Sequence, residues 1–131
     1  MFEIFNKNLS VPELGPVSLI RGMEITRDAE RGTLKLSQHR CVISLLQKND
    51  MESCNSVHMP GITNSTLPAT EEHLLDLQGI KQYQARVGSL IFLSQGTRFV
   101  IAFSVTQVSR YMSRPTTEHL TAAKRIFRHL R

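Results

Sequence analysis

Two helix breakers, Gly96 and Pro115, constrain this chain more than any other residues, because they cut the segment from Lys81 to Arg131 into three windows, each with its own apolar stripe. In the first window Tyr83, Val87, Leu90 and Ile91 recur at helical steps, Gly88 permits close helix approach, and Gly96 is a natural terminator. In the second, Ile101, Val105, Val108 and Met112 share a face until Pro115 pushes Arg114 out of the helical region. Thr116 or Thr117 then caps a third helix, with Glu118 in its first turn and Leu120, Ala123, Phe127 and Leu130 as its stripe. Still periodic at Arg131 and without a C-cap, that helix reads as truncated.

The same stretch is strongly basic. It holds nine Lys or Arg against one acid, Glu118, whereas residues 1–80 hold seven basic against ten acidic residues, so the formal +5 is a basic end offset by a slightly acidic start. Charge segregated in this way suits a polyanion. Arg98, Arg110, Arg114, Lys124, Arg125 and Arg128 are the candidate phosphate contacts, and Tyr83, Phe99, Phe103 and Tyr111 are candidates for base stacking. The competing reading makes those aromatics part of a helical core whose cations keep its outside wet, and aromatics at helical spacing among Leu and Val favour it.

Ahead of the helices the chain reads differently. Phe2, Ile4 and Phe5 suit a helical turn over residues 2–9, which Pro12 and the Gly15-Pro16 step break. Val17, Leu19, Met23 and Ile25 alternate about Gly22, and Leu34 and Leu36 alternate after a polar segment, which predicts a hairpin with Gly32 in its turn. Ser37 is placed to cap a short helix carrying Val42, Leu45 and Leu46 and stopping near Asn49. From Asn55 to Ala69, two prolines, a glycine and small polar residues read as linker. The expected fold is therefore α+β, mainly helical: a hairpin and short helix over 1–54, a loop over 55–80, and a basic three-helix segment over 81–131. With 131 residues, 40% of them hydrophobic, the chain suits one modest domain or a piece of one.

Catalytic and metal-binding signatures are lacking. His39, His58, His73, His119 and His129 form no HExxH pair, and Cys41 and Cys54 have no histidine at zinc spacing, so both thiols read as free or buried and no metal or cofactor is expected. Glu71, Glu72 and Asp76 read as the solvated acidic start of a helix rather than a magnesium site. There is no phosphate-binding loop, nucleophile elbow or dinucleotide fingerprint, and the expectation is a non-enzyme. No apolar run is long enough for a signal peptide core or a membrane span.

Residues 83–130, YQARVGSLIFLSQGTRFVIAFSVTQVSRYMSRPTTEHLTAAKRIFRHL, resemble the region downstream of the catalytic core in Ty1/copia-type reverse transcriptases, where a Tyr, VGSL, TRPD, SR-[FY]-M and AAKRI-[LF]-R-[YH]-L follow in that order. Leu14-Gly15 with Ile20 to Ile25, Leu36 to Leu46, and Met51 through Cys54 to Met59-Pro60 resemble the family's upstream segments. The resemblance implies a thumb- or connection-like role for residues 37–48 and 81–130 and a primer-grip-like hairpin at 19–25. It also implies that the polymerase aspartates lie upstream of this segment and the RNase H acids beyond it. The chain departs from the family at Ile20-Arg21, at Phe99-Val100 in place of Pro-Asp, and at Cys41 in place of Tyr.

A second resemblance is to the secreted RxLR effectors of plant-pathogenic oomycetes: the whole short chain resembles such a protein, and its final Arg128, His129, Leu130 and Arg131 read RxLR. It implies secretion into the host cell, to nucleus or cytoplasm, an unknown plant host protein as partner, and suppression of host cell death. That effector reading is the leading expectation. A retrotransposon remnant without present function, intracellular in location, and a nucleic-acid-binding module stand as alternatives. On any of them, the apolar faces of 81–130 must find each other, self-associate or stay partly exposed.

Overall fold

The computed structural model describes residues 15–61, 67 and 72–131, and the helical turn expected over residues 2–9 lies outside them. The chain divides into two compact units, residues 1–36 and 37–131. Its architecture is α+β, as the sequence pattern implies: among the described residues a three-stranded sheet is followed by four α-helices.

The sheet runs in order through β1 (Leu19–Ile20), β2 (Met23–Asp28) and β3 (Thr33–Ser37). The alternation predicts one turn, at Gly32; the chain makes another at Gly22, inside the 19–25 hairpin that the family resemblance implies. Arg21 and Gly22 have φ of 47° and 71°, the pair of positive angles that a two-residue hairpin turn of type I′ requires, and this sets Ile20 opposite Met23 and Leu19 opposite Glu24. Simple alternation counted through Gly22 hides that reversal. At the second turn Asp28 Oδ1 accepts the N–H groups of Glu30 and Arg31, each at 3.1 Å, and Gly32 takes φ 62° before β3 begins.

Helix α1 spans His39–Lys48. Its N-cap is Gln38, and Ser37, the expected cap, instead accepts the His39 N–H on Oγ at 3.2 Å. Asn49 ends the helix close to where expected, and its side chain donates to Leu45 O at 2.7 Å. Helix α2, Leu77–Gly96, begins inside the stretch expected to be linker, because Asp76 is a true N-cap: its Oδ1 accepts the Gly79 N–H at 2.8 Å. After Gly96, a 3₁₀ turn at Phe99–Ile101 leads into α3 (Ala102–Ser109). Thr116 caps α4 (Thr117–Leu130).

The core of the second unit is built by α2, α3 and α4. Tyr83, Val87, Leu90 and Leu93 from α2 meet Ile101, Val105 and Val108, and Ala123, Ile126 and Phe127 from α4, while Val42 and Leu46 of α1 and Met51 join the same cluster. Leu93 replaces the expected Ile91 on the α2 face, and Ile126 joins the α4 stripe; Leu120, Leu130 and Met112 are only half-buried. Each fully buried side chain of this size contributes about 1.5–3 kcal/mol relative to exposure. The starts of α2 and α4 are tied together by backbone bonds: Leu75 N–H donates to Pro115 O at 3.0 Å and Thr117 N–H to His73 O at 3.2 Å.

Candidate nucleic-acid interface

The six candidate cations have different fates in the fold. Arg110 at the end of α3, Arg114 in the following connection and Lys124 on α4 are exposed. Arg98, just before the 3₁₀ turn, is half-buried. Arg125 is half-buried as well. Its Nε is enclosed with no hydrogen-bond partner among the described residues, and the side chain forms part of the wall of a cavity of about 50 Å³. Arg128 is engaged internally, since its Nε donates to Asn55 O at 2.7 Å.

The aromatic candidates divide in the same way. Tyr83 is core: it is fully buried and its hydroxyl donates to Val108 O at 2.7 Å. Burial pushes its phenol pKa well above the usual value, with a smaller contribution from nearby Tyr111. Tyr111 stacks on His119 with ring centroids 3.9 Å apart and donates its hydroxyl proton to Leu67 O at 2.7 Å. Phe99 and Phe103 are the two that stay open to solvent. The core reading therefore holds for Tyr83, while Phe99 and Phe103 lie outside the core.

His119 also completes the cap of α4, a role the sequence pattern does not announce. The Thr116 N–H donates to His119 Nδ1 at 3.0 Å and the His119 N–H approaches Thr116 Oγ1 at 3.5 Å, a reciprocal capping box in which His stands where Glu or Gln is usual. The signal is Thr116-x-x-His119 read as a cap rather than as an isolated histidine.

The terminal Arg128-His129-Leu130-Arg131 has an internal use. Besides the Arg128 bond to Asn55, the Arg131 guanidinium donates to Cys54 O, His129 Nδ1 lies 3.2 Å from Val57 O, and the Val57 N–H donates to Arg128 O at 3.2 Å. The last turn of α4 thus clamps the Cys54–Val57 strand of backbone. Such contacts need cations and a histidine at these positions for reasons of folding alone.

Among the described residues no group of three His, Cys, Asp or Glu side chains is placed to hold a metal ion. Asp76 is the helix cap, Glu72 is exposed, and Glu71 lies outside the described residues. Cys41 and Cys54 are free, and burial raises the Cys41 thiol pKa. No described helix is long and apolar enough to cross a membrane.

Similarity to known proteins runs along nearly the whole chain. It is 32% identical over 131 residues to the retrovirus-related Pol polyprotein of transposon TNT 1-94 from Nicotiana tabacum, a match that covers 96% of this chain and 10% of the relative. The corresponding Pol polyproteins of transposons RE2 and RE1 from Arabidopsis thaliana are 31% and 36% identical, covering 98% and 74% of the chain. The chain is linked at family level to retrotransposon Pol polyproteins. It spans about a tenth of the length of the tobacco relative and 8% of the RE2 relative. No family model matches the chain, and no solved structure matches it.

This link to transposon Pol polyproteins corrects the leading expectation of a secreted RxLR-type effector that suppresses host cell death. The similarity runs over almost every residue and points to transposon Pol proteins, not to a secreted effector, and the one local signal for an effector was four terminal residues. Three of those four, Arg128, His129 and Arg131, have structural work to do in the α4 clamp.

Proposed function

We propose that the chain is a non-catalytic remnant of a Ty1/copia-type reverse transcriptase, corresponding to its thumb or connection region. The observation that carries this reading is the pairing of coverages: 96% of the chain aligns with only 10% of the tobacco Pol polyprotein. The helices that bear the family-like motifs also pack on one another, with VGSL supplying Val87 and Leu90 to the core and AAKRIF supplying Ala123, Ile126 and Phe127. A polymerase needs converging carboxylates to hold its metal ions. Two of the acids here serve other ends, Asp76 as a cap and Asp28 in a turn. Primer extension with the purified chain, a primed template, deoxynucleotides and Mg²⁺ or Mn²⁺ should give no product; template-dependent extension above a heat-denatured control would overturn the reading.

Exposure of Arg110 and Lys124 favours a second reading, in which the basic helices retain affinity for single-stranded nucleic acid without chemistry. Each neutralised phosphate contributes about −0.7 to the slope of log affinity against log salt. Lys124→Gln should therefore make the slope for a fluorescent oligonucleotide less negative by about 0.7. An unchanged slope, or no binding at low salt, removes that reading.

A further inference from the structure

His119 is a titratable ring sealed inside the fold, 1% exposed, and the cap of α4 depends on one protonation state of it. The Thr116 N–H donates to its Nδ1 at 3.0 Å. A backbone N–H can only donate, so Nδ1 carries a lone pair and the ring's single proton sits on Nε2. Tyr111 stacks on the ring at 3.9 Å, and its hydroxyl in turn donates to Leu67 O. On either side of Thr116 the chain is bonded to residues 73–75, Leu75 N–H to Pro115 O and Thr117 N–H to His73 O. The cap therefore lies where the starts of α2 and α4 are joined.

We infer that His119 is a proton-operated latch on the start of α4, closed while the imidazole is neutral and opened when acid protonates Nδ1. Protonation turns Nδ1 from an acceptor into a donor. The new N–H can still reach Thr116 Oγ1, 3.0 Å away, but the Thr116 backbone N–H then faces another donor, in a residue that is itself 1% exposed. A buried donor stripped of its acceptor is costly, and enclosing the imidazolium charge adds to the cost. Attraction between that charge and the face of the Tyr111 ring opposes the opening, yet it supplies no acceptor for Thr116. A partner at Nε2 leaves the conflict at Nδ1 unchanged.

Among the described residues, the charged groups of the elements that meet here face solvent. Arg110 and Arg114 in the connection before α4, and Glu118 on α4, are exposed. So are Glu72 and His73 ahead of α2, and Asp76 and Lys81 at its start, while Glu71 lies outside the described residues. Exposed charges act on the ring through solvent and are screened by salt, so the hydrogen bond at Nδ1 dominates. An unrestrained histidine titrates near about 6.5. The closed latch takes up no proton at Nδ1, so below that value the opened or unfolded chain binds more protons than the closed one. The latch accordingly contributes stability above about pH 6.5 and loses it as the pH falls.

Amide exchange of the full ¹⁵N-labelled chain, each rate divided by the unstructured-chain rate at the same pH, tests this. Between about pH 7.5 and about pH 5 the protection of the Thr116 amide should fall about thirtyfold, the ratio of imidazolium to imidazole in an opened ring at the lower pH. The amides of Leu90 and Phe127, in the core, should change much less. His119→Gln puts the usual partner into the capping box, so Thr116 should stay protected and its pH dependence should disappear. At neutral pH, long-range ¹H–¹⁵N correlation spectra of the parent should show His119 as the Nε2–H tautomer. The inference fails if the ring is the Nδ1–H tautomer, if Thr116 protection is the same at both pH values, or if His119→Gln shows the same loss as the parent. Should His119→Gln not fold, the tautomer and the comparison of Thr116 with Leu90 in the parent still decide it: a loss no larger at Thr116 than at Leu90 overturns the latch.

Discussion

Gly96→Ala is a one-methyl change that should destabilise the helical unit severely. A Cβ at residue 96 would lie 2.5 Å from both Nε2 and Oε1 of Gln38 and 2.6 Å from its Cδ, distances at which something must move. Gln38 cannot move cheaply, because it is buried and its Oε1 accepts both the Thr97 N–H at 2.8 Å and the Thr97 Oγ1 hydroxyl at 2.9 Å. Expelling the amide forfeits two hydrogen bonds at about 1 kcal/mol each and adds packing strain of about 1–3 kcal/mol. Ala is favoured over Gly in a helix by about 1 kcal/mol, which offsets part of this. The net cost is about 2–4 kcal/mol. In a Gln38→Ala background the obstruction is gone, so Gly96→Ala should then be neutral or stabilising by up to about 1 kcal/mol. Urea denaturation of the four proteins, followed by circular dichroism, yields the coupling energy directly. Additivity within about 0.5 kcal/mol would show that the amide does not seat against Gly96 and would refute the reasoning.

Stability should fall in alkali through Tyr83. Its folded-state pKa is raised, so its contribution is fully present below the unfolded value of about 10 and declines above it by about 1.4 kcal/mol per pH unit, as the unfolded phenol alone ionises. Tyr83→Phe should flatten that alkaline slope in urea titrations. Replacing Thr116 by Ala should cost about 1 kcal/mol and raise amide exchange at His119, because the cap of α4 loses its side-chain oxygen. Arg128→Ala with Arg131→Ala should speed proteolysis and amide exchange around Cys54–Val57 while the protection of Leu90 and Phe127 changes little, if the clamp is local.

The helical half was legible because local signals there agree with one another. Gly96 ends a helix, Tyr83, Val87 and Leu90 repeat at helical steps, and Thr116 caps where a threonine was expected, whereas α3 stops at Ser109, short of the expected end at Pro115. The start at Leu77 lies inside the loop expected over 55–80, although the reading of Glu71, Glu72 and Asp76 as the acidic start of a helix pointed to it. The alternation hid the turn at Gly22, because alternating residues on both sides of a two-residue turn still look like one strand, whereas the family resemblance implied a hairpin at 19–25.

The candidate interface was legible only as composition. Six cations and four aromatics could be named from their types, yet type does not say which way a side chain faces. Arg128 and Lys124 look alike in the sequence; one holds Asn55 O and the other meets solvent, because the Cys54–Val57 backbone lies against one part of α4 only. Tyr83 and Phe103 are both aromatic residues at helical spacing, and packing buries the first and exposes the second.

The sequence by itself determined the helical stripes, the ends near Asn49 and Gly96, the Thr116 cap and the ancestral resemblance, since these follow from residues near one another in the chain. Tertiary structure alone decided that Gln38 must lie against Gly96, that the terminal RHLR clamps a loop more than seventy residues away, and that Phe99, Val100 and Phe103 remain uncovered. Those outcomes depend on which distant surfaces meet, and a linear pattern of polar and apolar residues does not encode that until the helices have packed.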